Sequence, residues 1–359
     1  MIKTAMEKIV IVGAGMTGAS SAALLRKVLP NGAVVKIVDK SRGTGGRMST
    51  SRSSTGKSAT VDLGAQYISI NSHYAKTHQS FHEELMSQGL LKPSTCVIEN
   101  DKFGGEDIKQ YVTPAGVSSL VKYFVKQAGA ELMYDSHVSK VDVEDNKVKL
   151  TTLKGDVELC DGVILTMPVP QILQLDGSIQ NLIESQPKVK ENLENVSYSM
   201  RFAVGIFYDP GVTLSYPWAV KYFRDNPCVC FISIDNKKRG IENSSVGPSA
   251  VIHTSVHFGM KHIEEDKEQV KNIIMKHVKE LLPDLPEPAE VKGHKWRYSQ
   301  VHKSYAGEPG CVVLSNSPPI ILAGDAFSHS NLDGCLDSAQ SVNDAFVQSL
   351  GLDHPTNRL

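Results

Sequence analysis

The sequence predicts a two-domain α/β protein, a Rossmann-like dinucleotide-binding domain accompanied by a second, α+β domain. Three observations carry that expectation. The first forty residues spell strand, glycine-rich turn, helix, turn, strand, the unit in which two parallel strands join through a right-handed crossover. The chain has 359 residues, more than one hydrophobic core usually serves. Residues 196–258 are rich in strand-forming runs and lead into an amphipathic stretch, a sheet and a helix that the first unit does not need.

Taken in order, residues 8–12 read as a short buried strand, and 17–29 as a helix whose Ala19, Ala22 and Ala23 allow close packing on a sheet. Pro30, Asn31 and Gly32 stop that helix, and 33–38 is a second β-branched run. Residues 41–58, rich in Gly, Ser, Thr and Arg, suit a long loop over a ligand. Residues 74–91 read as helical. Thr113, Pro114 and Gly116 introduce a further helix, with Val117, Leu120, Val121, Phe124 and Val125 at three- and four-residue spacing.

Short strands at 132–134, 138–143 and 148–152 then lead into the apolar run 163–165, which ends at Thr166, Met167 and Pro168. This is the pattern of an antiparallel meander returning into a parallel sheet. Residues 202–208, 229–234 and 250–256 are the best strands of the second domain. Residues 261–282 give the clearest amphipathic helix, with Ile263, Val270, Ile273, Ile274, Val278 and Leu281 on one face. A last apolar strand at 320–323 and a last helix at 337–350 complete the reading.

Composition narrows the function classes. Hydrophobic residues make up 41% and charged residues 21%, as in ordinary globular proteins. A net charge of -1 with both signs scattered offers no footprint for nucleic acid or an anionic membrane. The cysteines Cys96, Cys160, Cys228, Cys230, Cys311 and Cys335 are few and dispersed, which fits reduced thiols rather than a disulfide framework. Cys228 and Cys230 lack a second ligand pair at metal spacing, so no metal is expected. The apolar run 9–12 is too short and too broken by glycine for export or membrane insertion, and a cytoplasmic location is the default expectation. There is no G-x-S-x-G elbow, no H-E-x-x-H and no G-K-[ST] loop, so hydrolysis and phosphoryl transfer lack their parts.

Gly13-Ala14-Gly15-Met16-Thr17-Gly18 matches G-x-G-x-x-G. The first glycine makes the tight turn, the second admits a pyrophosphate to the backbone, and the third lets helix pack on strand. The following helix N-terminus favours an anion through its unpaired donors and partial charge. Asp39 stands at the end of the second strand, about 20 residues on, where an acidic group accepts from ribose hydroxyls. An acid there suits FAD or NAD and disfavours NADP.

Gly45-Gly46-Arg47 resembles the second glycine-arginine signature of the FAD-dependent amine oxidase superfamily, and Asp62-Leu63-Gly64-Ala65-Gln66-Tyr67 resembles its next segment. Gly324-Asp325, before a small-residue loop and a helix near Gly334, resembles its C-terminal motif. The resemblance implies FAD, bound non-covalently, with Arg47 beside phosphate or flavin oxygens, Gly64, Ala65, Gln66 and Tyr67 returning toward the ring, and Asp325 at the ribityl chain or pyrophosphate. Lys40, Gly46, Thr166 and Gly334 join that set, and the strand around Val138 occupies the adenine position. It also implies the architecture shared by p-hydroxybenzoate hydroxylase and the amine oxidases. The expected FAD-binding domain comprises 6–75, 112–170 and 290–350, and the substrate domain 76–111 and 171–289.

Several further segments are idiosyncratic: LTMPVPQILQL, VSYS, SIDNKKR, GPSAVIHT, KWRYSQV and NLDGC. Together with VGAGMTG, GGRM and DLGAQYI they are similar to the renalase family. That resemblance implies oxidation of aberrant reduced nicotinamide dinucleotides, the 2- and 6-dihydro isomers and α-anomers of NAD(P)H, with electrons passing to FAD and then to O2 to give H2O2 and NAD(P)+. It also admits an extracellular location.

A hydride leaving a dihydropyridine needs no protein acid or base, so orientation and electrostatics are what the protein must supply. Substrate-pocket candidates are His253, Trp296, Arg297 and Asn331, while Lys237-Lys238-Arg239 reads as a solvated turn. Two alternatives stand beside this reading. One is a flavin amine oxidase, in which Lys295 would imitate the lysine found near flavin N5. The other is a flavin-bearing signalling or binding protein.

Overall fold

A computed structural model of the chain describes residues 6–54, 59–101, 105 and 107–350. Two compact units emerge, one built from the chain through residue 46, 120–197 and 301 onward, the other from 47–119 and 198–300. The boundaries expected near 75, 112, 170 and 290 are displaced for physical reasons. Thr50–Arg52 and Thr60–Asp62 close a hairpin, and Val61 and Leu63 from it join the core of the second unit's sheet, so the break falls at Gly46. Ser178–Glu184 is tied to the strand Val138–Glu144, through Ser178 N–H to Asp142 Oδ1 at 3.0 Å and Val143 N–H to Ser178 Oγ at 2.8 Å. That holds 171–197 in the first unit.

The first unit centres on a six-stranded sheet. Lys8–Val12 lies between Val34–Val38 and Gly162–Leu165, all parallel, with Ile9 opposite both Val35 and Gly162. Glu131–Met133 and Pro319–Ala323 extend the parallel set on either side, and Cys311–Asn316 closes one edge antiparallel. The inner strands are apolar without alternation, and Ile9, Val10, Ile11, Val163, Ile164 and Leu165 are buried, as parallel strands require when both faces are covered. The helix Met16–Val28 packs on Leu332–Leu350 through a small-residue face, with Ala19 and Ala22 buried. The meander starts later than expected, since 132–134 falls in the parallel strand Glu131–Met133; it comprises Val138–Glu144, Lys147–Thr152 and a third strand the sequence did not suggest, Val157–Cys160, antiparallel throughout. Its Glu158 takes both Lys8 and Lys36 of the central strands.

The second unit is built on a sheet ordered Glu290–Trp296, Arg201–Phe207, Ser249–Thr254, Val229–Ile234, Val220–Tyr222, Ile98–Glu99. Only the last pair is parallel. One face carries the core of Phe202, Val204, Ile206, Ile232 and Ile252 with Val270, Ile274 and Val278.

The single helix expected over 261–282 is two, Val256–His262 and Lys267–Leu281. Asp266 caps the second, accepting from Glu268 and Gln269 N–H at 3.0 Å each, and a cap of this kind starts a new helix. Ile263 therefore precedes the second helix, and Ile273 is exposed rather than on its apolar face. Residues 74–91 likewise divide, into Ser72–Thr77 and Gln79–Ser87. The last helix begins at Leu332, earlier than the sequence suggests. The expected loop 41–58 holds the strand Thr50–Arg52, and its residues 55–58 lie outside the described residues. Among the described residues no helix is long and apolar enough to cross a membrane.

Candidate functional site

In the first unit the glycine turn forms a cradle lined by backbone. Gly13 has φ +121, and a Cβ there would stand 2.4 Å from Thr166 Oγ1; a Cβ on Gly18 would stand 2.1 Å from the Gly13 carbonyl oxygen. Both glycines are required by close approach of strand and helix. Gly15 differs, for a Cβ there would meet nothing within 4 Å. The first and third glycines are therefore filled in by the protein, while the second faces room for a ligand. The first intrahelical bond runs from Ala19 N–H to the Gly15 carbonyl, which leaves the N–H groups of Met16, Thr17 and Gly18 without partners inside the helix. Such a terminus suits a pyrophosphate.

Asp39 braces the cradle from the second strand. Its Oδ2 accepts from Ala14 N–H at 2.6 Å, and its Oδ1 from the Ser41 N–H at 2.7 Å and the Ser41 hydroxyl. Lys40 follows at the surface. Gly46, at φ +55, brings the next loop against Gly15, whose Cα would be 3.4 Å from a Cβ there, and Gly45 N–H donates to the Ala14 carbonyl. Thr166 Oγ1 donates to the Val12 carbonyl at 3.0 Å. Val138 opens its strand opposite Thr152 with its side chain buried.

At the C-terminal motif Gly324 adopts φ +131 and gives its N–H to Ser338 Oγ at 2.8 Å, while Asp325 Oδ2 accepts from Ser330 Oγ at 2.6 Å. Gly334 admits no side chain, since a Cβ would stand 2.0 Å from the His329 carbonyl oxygen. Asn331 caps the last helix, its Oδ1 accepting from Gly334 N–H at 2.6 Å, so its side chain holds a helix end. The open cradle at Gly15, the free helix donors and the acidic Asp39 together fit the pyrophosphate and ribose of a dinucleotide.

In the second unit the sheet face opposite the helices carries a row that only register reveals. His294 lies opposite Ala203, Ala203 opposite His253, His253 opposite Phe231, and Phe231 opposite Tyr222. Paired residues point to the same side of a sheet, so five strands contribute one side chain each. Arg201 and its partner Trp296 stand two residues along on the same face. The rings are in contact: His253 stacks on Phe231 at 5.3 Å, Phe231 meets Tyr222 edge-on at 5.2 Å, and His294 lies 4.0 Å from Trp296. Tyr67 and Tyr222 join through their hydroxyls.

Charge on this face is restrained. Burial, then the neighbouring Arg201, pushes the His253 imidazole down to about 3, so it is neutral near pH 7. Its Nε2 sits 2.9 Å from the Leu63 carbonyl. A carbonyl only accepts, so the proton is on Nε2 and Nδ1 is an acceptor. Trp296 Nε1 donates to the same carbonyl at 3.1 Å. Burial lowers His294 to about 4 and keeps Tyr67 and Tyr222 above the usual phenol range. Arg201 donates to Cys230 Sγ at 3.5 Å and the Thr254 carbonyl at 3.4 Å, and its Nε has no hydrogen-bond partner among the described residues.

The remaining expected residues fall in different places. Arg47 lies 6.0 Å over the Tyr198 ring, and its carbonyl accepts from Ala65 N–H at 3.0 Å. Gly64 passes so close that a Cβ would be 1.9 Å from that carbonyl oxygen. Arg297 forms a two-bond ion pair with Glu264, at 2.5 and 2.8 Å, on the surface rather than on the ring row. Lys295 points to the opposite face and donates to the carbonyls of Ile263 and Glu265 at 2.6 and 2.8 Å, which removes the expected imitation of a flavin-side lysine.

Lys238 and Arg239 are not a solvated turn. They belong to the buried end of the helix Asp235–Lys238, at 2% and 3% exposure, where Asp235 meets Lys238 at 2.7 Å and Arg239 at 2.6 Å. Sequence reasoning missed them because a run of three cations reads as solvated; the available signal was Asp235, spaced three and four residues before Lys238 and Arg239. It missed Tyr222, Phe231, His294 and Arg201 because strand register is not written locally. Their alternation in strand-forming runs was the only available signal.

The chain is similar to known proteins over most of its length. The family of flavin containing amine oxidoreductases matches residues 78–345, and the NAD(P)-binding Rossmann-like domain matches 11–85. Renalase of Mus musculus is 46% identical over 337 residues, 94% of this chain and 98% of the relative. A solved structure from Exiguobacterium sp. 255-15, named a candidate protoporphyrinogen oxidase, aligns with a TM-score of 0.70 at 14% identity, over 95% of this chain and 98% of that one. At that identity the likeness shows the fold alone. The chain belongs to the renalase family of the flavin-containing amine oxidoreductases and is an FAD-dependent oxidoreductase.

Proposed function

We propose that the chain oxidises dihydronicotinamide dinucleotides whose hydride is misplaced on the ring or whose anomeric configuration is α, returning NAD(P)+ and reducing O2 to H2O2. The observation that carries the reading is the row of neutral rings with Trp296 and Arg201 beside it. Aromatic faces at the half-buried Tyr222 and Trp296 suit a flat pyridine ring, with Phe231 buried in the core behind them and stacked on His253. Neutral His253 offers Nδ1 as an acceptor for a carboxamide N–H, and Arg201 offers N–H donors for a carboxamide or phosphate oxygen.

Bound FAD, held without a covalent bond, supplies hydride acceptance and electron delivery to oxygen. The protein's own residues orient the ring and exclude water. The balance is one hydride from the substrate and one proton from solvent, joined to one O2. Amine oxidation is the weaker reading. The row holds a guanidinium and, among its described residues, no carboxylate to receive an alkylammonium, and Lys295 is engaged elsewhere.

The test is an aerobic assay with 6-dihydro-NAD and with a catecholamine, following oxygen uptake, NAD+ and peroxide. Equal amounts of NAD+ and H2O2 from the dinucleotide, and no oxygen uptake with the amine, are expected. Oxygen uptake driven by the amine alone overturns the proposal.

A further inference from the structure

The charged cluster around Lys238 is expensive to bury, and what it touches explains its presence. The side chains of Lys238, Asp235 and Asp62 are 0% exposed, with Lys238 Nζ 2.7 Å from Asp235 and 3.8 Å from Asp62. Replacing such a network with apolar groups of similar volume is often neutral or stabilising, so fold stability alone does not account for it.

Lys238 also donates to Gln66 Oε1 at 2.9 Å. The Gln66 amide in turn donates to the carbonyls of Asp62 at 2.6 Å and Gly64 at 3.0 Å, which lie on either side of Leu63. Asp62 Oδ1 is fixed by Thr50 Oγ1 at 2.6 Å and Val117 N–H at 3.0 Å. Leu63 N–H and Ala65 N–H are bonded to the carbonyls of Ser49 and Arg47. These bonds hold the turn around Leu63, and its own carbonyl receives His253 Nε2 and Trp296 Nε1.

We propose that Lys238 and Gln66 are positioning residues. Through the turn Asp62–Gln66 they set the Leu63 carbonyl, which fixes the Nε2–H tautomer of His253 and the plane of Trp296. The importance of that tautomer for the substrate rests on the function proposed above, but the tautomer itself does not. The ammonium of Lys238 restrains Gln66, Gln66 restrains the two carbonyls flanking Leu63, and the Leu63 carbonyl selects the ring proton. A neutral imidazole without such an acceptor populates both tautomers, and only one presents Nδ1 as an acceptor.

The experiment uses the FAD-loaded full chain. Ring ¹⁵N spectra of His253, assigned by their loss in His253→Asn, are recorded for the wild type, Lys238→Met and Gln66→Met. Gln66→Met removes the amide donors without adding a charge and leaves Lys238 its pairing with Asp235, so it remains informative if Lys238→Met does not fold. A single Nε2–H form is expected in the wild type, and a mixture with at least about a tenth Nδ1–H in each folded variant. The variants' single-turnover flavin reduction should fall about tenfold with little change in substrate half-saturation. A single Nε2–H form retained in the folded variants overturns the proposal. A shifted tautomer with no oxidation of any dihydronicotinamide, by the wild type included, leaves the positioning role standing and removes the function proposed above.

Discussion

The two units offer a ligand different kinds of surface. In the first, the groups that fit a pyrophosphate are backbone N–H donors at a glycine turn, and side chains are excluded by contacts such as Gly18 against the Gly13 carbonyl. In the second, the surface proposed to meet the substrate is made of side chains from neighbouring strands, with His253 and Trp296 bonded to one carbonyl. A backbone site constrains residue type at fixed spacing, and therefore writes a motif. A side-chain face constrains register, which is decided by pairing between segments far apart in the chain.

The largest effects should come from dividing the glycines by what each one faces. Gly18→Val forces a side chain into the Gly13 carbonyl, and is expected to lose bound FAD and about 3 kcal/mol of stability together. Gly15→Ala adds a Cβ with nothing of the protein within 4 Å, so it should lose FAD by a hundredfold or more with the apoprotein's denaturation midpoint unchanged. Flavin content after purification and chemical denaturation of the apoprotein separate the two. An equal stability loss in both variants would break the distinction between packing glycine and ligand glycine.

A smaller effect, about tenfold in FAD affinity, is expected for Asp39→Ala. It removes a charged acceptor worth about 1.5 kcal/mol, and Ala14 N–H loses its partner. Titration of the apoprotein with FAD measures it, and unchanged affinity would take Asp39 out of the ribose site.

These contrasts explain how much was legible. The βαβ unit, the first two strands of the meander and the terminal Gly324-Asp325 strand were readable because local pattern and tertiary structure agree there. So was Asp39, whose position follows from the strand it ends. The burial of Lys238 was not readable: its pairing with Asp235 is local, but Gln66 and Asp62, which cover it, are remote in sequence. Arg297 was read as a pocket residue for its positive charge, yet the strand ends at Trp296, and Arg297, in the turn beyond it, pairs with Glu264 at the surface. The break at Asp266 was written as a cap and was overridden in the reading by the longer apolar periodicity.

The smallest effect concerns pH. The folded His253 is held at about 3, against an ordinary value of 6.5, first by burial and then by Arg201. Between those values the unfolded chain binds a proton that the folded chain refuses, so this contribution is complete above 6.5 and is lost as pH falls toward 3. Denaturation at pH 7.5 and 4.5 should therefore show a smaller acid loss in His253→Asn than in the wild type. An identical loss would mean that the imidazole is charged on the sheet face.

The most direct measurement is anaerobic mixing of the FAD-loaded protein with 6-dihydro-NAD, and separately with a catecholamine, while flavin absorbance is followed in a stopped-flow instrument. The account predicts rapid bleaching by the dinucleotide, with one NAD+ formed per flavin, and none by the amine. Bleaching by the amine, with the dinucleotide inert, would contradict it.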